Sequence, residues 1–451
     1  RCWRPASPSR VPLGRLGGGA DTASSAIMRT LLWGIFRDLY VILFVVLVIE
    51  QIPGSDLLHD VTRKGVITVT VCIVLAKVVQ SLVEAPSGGG PVRAPRRQKK
   101  TEGGKGNLLD WASSEMQGWR PAMEDATCIM TSLPVPLSSQ AFFAVFDGHG
   151  GAQVSLIASK EFPKVLAACA LSVSKSEEGL EGAGGERAGD GTPPQVSPSV
   201  TKQALHNAML TMDSLLRKGG TNAAAARGPA SGPMGLMEVA DRGNAFNLVG
   251  STAIVVCLDC GDGADQAADG RPQRVVVANC GDSRAVLCRN GKAVELSEDH
   301  KPEMPGEEER IRKAGGHVAM NGPCHRVDGW GLNLSRALGD FHYKARTDLP
   351  PEQQKVTAVP EVRVLELTDE DEFLVLGCDG IFELHSSQKA IDVVRQCLAA
   401  GLSVEKAVED LVDRSCSSNL MKTQGKGGDN CSAIVVRLGP GRRRQGAQAT
   451  T

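Results

Sequence analysis

The chain has few aromatic residues and almost no net charge. Phe, Trp and Tyr make up 4% of its 451 residues, and Lys+Arg 50 against Asp+Glu 51 give a formal net charge of -1. A balanced charge provides no general attraction to a phosphate backbone, so we expect no nucleic-acid partner. The length allows one large domain with appendages, or two domains. The 51 glycines are typical of a chain with long loops or inserts.

The cysteine pattern lacks both a disulfide framework and a zinc site. The 13 cysteines are scattered and mostly lie inside apolar runs, which is typical of reduced, buried cysteine in a cytosol-facing protein. The pair Cys257-x-x-Cys260 has no second half, and alternation along a strand explains it better than a metal does.

Two apolar segments near the N-terminus, residues 31–49 and 66–83, predict a membrane anchor. Each approaches the roughly 20 residues that a helix needs to cross a bilayer, although charged residues interrupt both. One or both segments span in this interpretation; buried helices of a soluble domain are the alternative. The basic residues that follow, from Arg93 to Lys100, favour the cytoplasmic side, with a solvated linker as the alternative. We therefore expect a membrane-anchored protein whose catalytic domain faces the cytosol.

Changes in composition divide the chain into regions. They are a disordered or untranslated N-terminus, an anchor region, a basic Gly/Pro-rich linker, a folded domain and a disordered tail, at residues 1–30, 31–86, 87–106, 107–438 and 439–451. Because the sequence begins with Arg1 and its first methionine is Met28, the opening residues belong either to a fragment or to a segment not normally translated. Low-complexity inserts at about 174–200 and 219–244 are predicted to be disordered surface loops.

Within the folded domain, apolar runs repeatedly meet an aspartate beside a glycine. Such aspartates follow or precede a predicted strand at four places: Asp147, Asp282, Asp379 and Asp429. Short β-branched and aromatic runs bounded by glycine and aspartate are typical of buried strands. We expect these carboxylates to converge at one rim of a sheet, where they repel one another unless a cation lies between them. The pattern therefore predicts a site for a hard metal ion.

Other polar side chains accompany these aspartates. Glu124 and Asp125 are adjacent, so they point to opposite faces of a strand, and one is expected to bind metal while the other holds a neighbouring group. Arg120 suits a phosphate through its planar guanidinium. His149 titrates near neutrality and is able to donate a proton to a leaving group. Taken alone, these residues also fit a surface salt bridge, a turn histidine and, at Asp282, a tight hairpin turn.

The oxygen ligands in this set select Mg²⁺ or Mn²⁺ over zinc. Glu124 and the strand-end aspartates are hard ligands, and no cysteine or histidine cluster with zinc spacing accompanies them in the sequence. Two such ions bridged by one carboxylate lower the pKa of a shared water and generate hydroxide near pH 7. With an arginine for the phosphate and a histidine for the leaving group, the set suits hydrolysis of a phosphomonoester.

The motifs, taken in order, resemble those of the PPM-type (type 2C) serine/threonine protein phosphatases over about residues 109–438. They are Glu115–Ala126, Phe146–Gly151, Gly250–Ala253, Asn279–Arg284, Leu332–Asp340, Cys378–Gly380 and Gly428–Asn430. The resemblance implies an α+β fold, an α-β-β-α sandwich of two antiparallel β-sheets flanked by helices, here preceded by one or two hydrophobic N-terminal helices. It also implies metal-dependent hydrolysis of phosphoserine and phosphothreonine. We expect phosphorylated proteins as substrates and a monomeric catalytic domain.

The resemblance implies a role for each site residue. The implied metal ligands are Asp147, which would bridge two Mg²⁺ or Mn²⁺ ions, the Gly148 carbonyl, Glu124, Asp379 and Asp429, with Asp282 beside Asp379 for a weaker third ion. Arg120 would hold the substrate phosphate, and His149 would be the general acid. The supporting residues would be Asp125, Asn430 and Glu383. Glu383 stands where the family has an aspartate, and its extra methylene bears on the third site.

Two alternatives stay open at the level of sequence. One is a catalytically weak or inactive phosphatase-fold scaffold on a membrane that binds phosphoproteins, although the intact core ligands argue against it. The other is a soluble phosphatase with a buried N-terminal helical pair, which differs only in location. No Cys-x5-Arg or Asp-x-Asp nucleophile motif is evident, so water is expected to attack phosphorus directly.

Overall fold

A computed structural model describes residues 94–106, 109–181, 196–226, 244–260 and 272–439. The two segments predicted to span a membrane, at 31–49 and 66–83, lie outside these residues, as does any N-terminal helix that they form. Among the residues described, no helix combines the length and the apolar character that crossing a bilayer requires. The chain divides into two compact units, and the described residues all belong to the second, Val92–Thr451.

Most of the described strands belong to two antiparallel β-sheets. The strands are β1 Arg96–Gly106, β2 Leu109–Gly118, β3 Ala126–Met130, β4 Gln140–Phe146, β5 Gly148–His149, β6 Gly250–Ser251, β7 Ala253–Asp259, β8 Arg274–Cys280, β9 Arg284–Arg289, β10 Lys292–Glu295, β11 Val318–Asn321, β12 Cys324–Val327, β13 Leu338–Gly339, β14 Glu361–Glu366, β15 Asp371–Gly377 and β16 Cys431–Arg437. Over the described residues, one sheet has six strands in the order β1-β2-β16-β15-β9-β10, and the other has five in the order β14-β8-β7-β4-β3.

Two smaller sheets complete the β-structure of the described residues. One has the order β13-β6-β5 and includes His149, which lies on β5. The other is the β11–β12 hairpin, which occupies the segment from His317 to Trp330. The Trp330 side chain is largely exposed.

Helices cover the outer faces of the two large sheets. In the described residues they are α1 Gln153–Glu181, α2 Pro198–Ala226, α3 Pro305–Lys313, α4 Asp379–Phe382, α5 Ser387–Ala399 and α6 Val404–Ser415, with 3-10 helices at Phe341–Lys344 and Pro351–Gln353. Helices α1 and α2 pack on the five-stranded sheet, and α5 and α6 pack on the six-stranded sheet. The predicted sandwich of two antiparallel sheets flanked by helices is therefore confirmed.

Strand β4 shows why the five-stranded sheet is buried on both faces. Successive side chains of a strand point to opposite faces. Phe143 and Val145 lie in the core between the two sheets. Phe142 and Phe146 point the other way, and their ring centroids lie 6.2 and 6.1 Å from that of Phe162 on α1. A run that is apolar at every position therefore becomes an interior strand with helices on one side and a second sheet on the other.

The ends of α5 and α6 follow from local sequence. Ser386 and Ser403 are their N-cap residues, and each hydroxyl accepts a backbone N–H three residues further on, at 3.2 and 3.4 Å. A serine in this position satisfies a backbone donor that the first turn leaves unpaired. The buried residues of α6, among them Leu411 and Val412, then form one apolar face against the sheet.

Residues 96–106, predicted as part of a linker, form strand β1 instead. This strand pairs antiparallel with β2 from Arg96↔Gly118 to Gly106↔Leu109. Its basic side chains contact the rest of the domain; for example, Lys99 Nζ lies 2.5 Å from Asp413 Oδ2 of α6. The prediction was wrong because backbone pairing needs no apolar side chains. An open edge of β2 is enough to order a polar, glycine-rich segment.

The inserts predicted as disordered are also shorter than their composition indicated. Helix α1 continues to Glu181, and α2 occupies Pro198–Ala226, so both helices extend into the expected inserts. The Glu and Ala residues in these segments are good helix formers, whereas each glycine costs about 1 kcal/mol relative to alanine. Packing of α1 against α2 outweighs that cost.

A prediction about stability follows from β1. A chain that begins at Arg96 is expected to be more stable than one that begins at Asn107, because the shorter chain loses the whole β1–β2 ladder. Each net backbone hydrogen bond contributes about 0.5–1.5 kcal/mol, so the free energy of unfolding should fall by roughly 2–5 kcal/mol. Urea unfolding followed by circular dichroism measures the difference. Equal midpoints for the two chains would show that β1 adds nothing to the fold.

Candidate metal centre

The register of the five-stranded sheet places two of the predicted acids side by side. Ala126 at the start of β3 pairs with Phe146 at the end of β4. Asp125 directly precedes β3 and Asp147 directly follows β4, so both carboxylates lie at the same end of this sheet. One ligand atom from each, together with the Cys378 thiol, falls within a mutual distance of 4.8 Å.

The six-stranded sheet brings two more acids to this end. Gly377 at the end of β15 pairs with Ala433 near the start of β16. Asp379 follows β15 and Asp429 precedes β16, so they lie on adjacent strands. Asp147 of the other sheet is close enough to be repelled by both. The two sheets of the sandwich therefore contribute to one acidic cluster.

Burial makes this cluster electrostatically costly without a cation. Burial first, and repulsion between neighbouring acids second, raise the pKa of Asp147 and of Asp379 well above the usual range. Burial likewise raises the pKa of Asp125 to about 7. Its Oδ2 is buried and has no hydrogen-bond partner among the described residues. Several hard oxygen donors with an unpaired buried atom fit a divalent cation such as Mg²⁺ or Mn²⁺.

Two hydrogen bonds hold the backbone of Glu124 near the cluster. Its N–H donates to Asn430 Oδ1 at 2.9 Å, and its carbonyl accepts the Ser155 hydroxyl. The Asn430 amide nitrogen donates to the carbonyls of Gln117 and Ala122 at 2.8 and 3.0 Å. Asn430 therefore ties the segment before β3 to the turn before β16, which is a supporting role of the predicted kind.

Gly148 allows the loop after β4 to approach that segment. A Cβ atom at this position would lie 2.2 Å from the Glu124 carbonyl oxygen and 2.8 Å from Ser155 Oγ. Both distances are too short for any side chain. The glycine in the Asp-Gly pair is therefore required for the backbones that carry Glu124 and Asp147 to meet.

Arg120 lies at the exposed rim of the cluster. Its Nη2 is 2.5 Å from Asp429 Oδ2, and its side chain is 57% exposed. Asp379 and Asp147 also attract it. A guanidinium that faces an acidic metal site while remaining open to solvent is placed to meet a phosphate group that arrives from outside.

His149 is paired with a residue that sequence reasoning did not assign. Its Nε2 lies 2.7 Å from Oδ2 of Asp340, a fully buried carboxylate. Asp340 closes the motif Leu332–Asp340, and its position after Gly339 repeats the glycine–aspartate pattern of the other site residues. That repetition is the signal by which the sequence could have marked it.

Asp282 also has a partner that the sequence analysis missed. It is buried, and its Oδ2 lies 2.5 Å from the Nζ of Lys301. Lys301 stands 19 residues further along the chain, outside any of the matched motifs. Asp282 therefore lies near Asp379, as predicted, but with a positive charge already beside it.

Glu383 fastens the loop that precedes Asp429. Its Oε2 accepts the backbone N–H of Gly427 at 2.8 Å. Its own N–H donates to the Asp379 carbonyl at 2.8 Å. The longer glutamate side chain thus links the two segments that carry Asp379 and Asp429.

The two-sheet fold, the buried acids and the rim arginine define a class of protein, the metal-dependent phosphatases. A family model described as Protein phosphatase 2C matches residues 109–423, which include the site residues from Arg120 to Glu383, while Asp429 and Asn430 follow the matched region. The chain belongs to the protein phosphatase 2C family, and it is a protein serine/threonine phosphatase.

Individual relatives agree with the family model. The chain is 34% identical over 373 residues to "Probable protein phosphatase 2C 42" of Oryza sativa subsp. japonica, which covers 80% of this chain and 93% of that protein. It is 34% identical over 364 residues to "Protein phosphatase 2C homolog 2" of Hypocrea jecorina, with 79% and 68% covered. Among solved structures, a phosphatase from Toxoplasma gondii superposes with a TM-score of 0.54 at 25% identity, covering 76% of this chain and 96% of that one.

The raised pKa of Asp125 predicts a pH-dependent stability in the metal-free chain. A carboxyl with a pKa of about 7 when folded and 3.8 when unfolded stabilises the fold at low pH, and this contribution is lost as pH rises through 7. Relative to Asp125→Asn, the chain in EDTA should therefore lose thermal stability between pH 5 and pH 8. Added Mn²⁺ should stabilise the unsubstituted chain more at pH 8 than at pH 5.

Thermal unfolding at the two pH values, with EDTA and with Mn²⁺, measures this difference. Asp125→Asn is the matched control, because it keeps the size of the side chain and removes its titration. If the chain and the variant showed the same pH dependence in EDTA, the buried Asp125 carboxyl would not be protonated in the folded state.

Proposed function

We propose that the chain hydrolyses phosphoserine and phosphothreonine in proteins at the acidic cluster, by direct attack of water on phosphorus. The observation that carries this proposal is the meeting of acids from both sheets at one end of the sandwich, beside an exposed arginine. The outcome would be inorganic phosphate and the free hydroxyl amino acid. No covalent enzyme intermediate forms in this scheme, and burial raises the pKa of the neighbouring Cys378 thiol, which disfavours a nucleophilic thiolate.

The cluster suits two Mg²⁺ or Mn²⁺ ions. The residues that would hold them are Asp147, the Gly148 carbonyl, Glu124, Asp379 and Asp429. When bound, such ions lower the pKa of a water and neutralise charge on the phosphoryl oxygens. Asn430 and Glu383 hold the backbone segments that carry these ligands, and Asp125 supplies a further carboxylate behind Asp147.

Arg120 binds the substrate phosphate in this scheme. Its planar guanidinium matches two oxygens of a phosphate as well as it matches those of a carboxylate. In the structure Nη2 contacts Asp429, so the arginine already points at the cluster. A phosphate held there is oriented toward Asp147 and Asp379.

His149 acts as the general acid. The oxygen of serine or threonine is a poor leaving group unless it gains a proton as its bond to phosphorus breaks. General acid catalysis typically contributes about 10²–10⁴-fold to the rate. His149 lies on β5, directly after Gly148 and two residues from Asp147, and its side chain is 25% exposed, so the ring is open to solvent close to the cluster.

A weaker third ion at Asp282 and Asp379 would compete with Lys301. The lysine Nζ is 2.5 Å from Asp282 and provides the same charge compensation that a cation would provide. Such an ion would therefore bind only at high metal concentration and would have to displace the Lys301 side chain.

Location is a separate part of the proposal. The apolar segments 31–49 and 66–83 support a membrane anchor, and the basic residues from Arg93 to Lys100 support a cytosolic catalytic domain. The cysteines among the described residues are free, which fits a reducing compartment. We further propose a catalytic domain that acts as a monomer on phosphoproteins and binds no nucleic acid.

Replacing a ligand tests the activity. Asp379→Asn should reduce Mn²⁺-dependent release of phosphate from a phosphothreonine peptide. The reduction should exceed the loss of about 10–100-fold that is typical when a residue behind a metal ligand is replaced. EDTA should abolish release by the unsubstituted chain. Asp371→Asn is the matched control, because Asp371 is a buried aspartate of the same strand region that pairs with Arg289 at the opposite end of β15. A folded chain that binds Mn²⁺ without releasing phosphate would favour the phosphoprotein-binding scaffold.

Alkaline carbonate extraction tests the anchor. The full chain expressed in cells should stay in the membrane pellet, because apolar spans resist extraction, whereas a chain that begins at Arg96 should enter the supernatant. Immunoblotting of the two fractions measures the distribution. Full release of the complete chain would favour the alternative of a buried N-terminal helical pair.

A further inference from the structure

We propose that Asp340 is the positioning residue of His149, holding Nε2 of the ring so that Nδ1 faces the leaving oxygen of the substrate. The inference rests on the proposed role of His149 as general acid. It assigns a function to a buried carboxylate that lies outside the predicted ligand set.

The contact between the two side chains is direct. Asp340 Oδ2 lies 2.7 Å from His149 Nε2, a normal distance for a charge-assisted hydrogen bond. The Asp340 side chain is 0% exposed and that of His149 is 25% exposed. Asp340 Oδ1 has no hydrogen-bond partner among the described residues, so the histidine is the polar contact of this carboxylate. A buried carboxylate is costly unless it is paired.

The small three-stranded sheet is built around this pair. β6 lies between β5 and β13, and Gly250 on β6 pairs with His149 on one side and Gly339 on the other. The side chains of His149 and Asp340 therefore meet across Gly250. A Cβ atom on Gly250 would lie 2.0 Å from Asp340 Oδ2 and 2.6 Å from His149 Nε2. The glycine leaves the space that the hydrogen bond occupies.

The backbone of Asp340 fixes the position of its carboxylate. Asp340 has φ 50, in the left-handed region that side-chain-bearing residues seldom adopt and that Asp and Asn tolerate best. Its N–H donates to the Val249 carbonyl at 3.1 Å, and its carbonyl accepts the Tyr343 N–H at 3.0 Å. An uncommon conformation that is held from both sides is typical of functional positions.

A second ion pair, between Asp213 and Lys344, stabilises the turn that carries Asp340. Asp213 of α2 accepts the Gly339 N–H at 2.9 Å and pairs with Lys344 Nζ at 2.7 Å. Lys344 also donates to the Ala337 carbonyl at 2.8 Å. These contacts connect the turn that carries Asp340 to α2. They restrict movement of the Asp340 carboxylate, so the carboxylate can hold the His149 ring in one orientation.

Because Asp340 engages Nε2, Nδ1 is the ring nitrogen that remains for the substrate in this proposal. In the imidazolium form Nε2–H donates to Asp340, and Nδ1–H remains for the substrate. As the bond from phosphorus to the serine or threonine oxygen breaks, that oxygen takes the Nδ1 proton and leaves as a hydroxyl. The oxygen of water forms the new bond to phosphorus, and the neutral histidine regains a proton from solvent.

Leaving-group dependence distinguishes positioning from a purely structural role. In the full chain with Mn²⁺, Asp340→Asn should lower kcat on a phosphothreonine peptide by about 10-fold or more while leaving KM unchanged. Asparagine keeps the size of the side chain and tolerates the left-handed backbone. Hydrolysis of p-nitrophenyl phosphate should change by less than about 3-fold, since nitrophenolate leaves without general acid catalysis. A general loss of stability would lower both reactions together.

Three further variants distinguish the possible outcomes. His149→Gln should show the same selective loss, and adding Asp340→Asn to it should cause no further loss, because Asp340 acts through the ring. Asp371→Asn should leave both reactions unchanged. If His149→Gln lacked the selective loss, the general-acid role itself would be wrong. If His149→Gln showed it and Asp340→Asn did not, only the positioning role of Asp340 would be overturned.

Folding is checked for each variant by thermal unfolding. Should Asp340→Asn fail to fold, Asp340→Gly, which adopts the left-handed backbone without strain, takes its place with the same expected selectivity. An equal loss on both substrates by a folded Asp340 variant would also contradict the proposal.

Discussion

Mutual repulsion among buried carboxylates is the constraint on which the rest of the site depends. Asp125 is buried and Asp147 and Asp379 are half-buried, and the loss of solvation raises the pKa of each. Such groups stay close only if a rigid structure prevents them from moving apart. The sandwich provides that rigidity, because strands β4 and β15 are buried along their length and the acids follow directly at their ends. A divalent cation held by these carboxylates would offset this repulsion.

The site is assembled from pairs of distant segments, each joined by a specific contact. Asn430 ties the Glu124 segment to the start of β16, and Glu383 joins the Asp379 helix to the loop before Asp429. Asp340 meets His149 across Gly250. Each contact joins residues that belong to different motifs. The order of the motifs along the chain therefore says little about which of them touch, and the register of the sheets decides it.

Several features followed from sequence because they depend on local chemistry. The uninterrupted apolar run of β4 indicated a strand buried on both faces, and the acids at strand ends indicated an oxygen-lined metal site. Features that depend on distant partners did not follow. Strand β1 is polar and rich in glycine, so only the open edge of β2 explains its order. Lys301 carries no motif of its own, and its importance comes from the 2.5 Å contact with Asp282.

The sequence by itself determined the chemical inventory: hard oxygen ligands, an arginine suited to phosphate, a histidine that titrates near neutrality, and the ordered motifs of a phosphatase family. These are properties of residue types and of their neighbours in the chain. Only the tertiary structure decided the pairings, namely Arg120 with Asp429, Lys301 with Asp282 and His149 with Asp340. A hydrogen bond or an ion pair depends on a distance of a few tenths of an ångström between atoms. Such distances are fixed by sheet register and core packing, which join residues far apart in sequence.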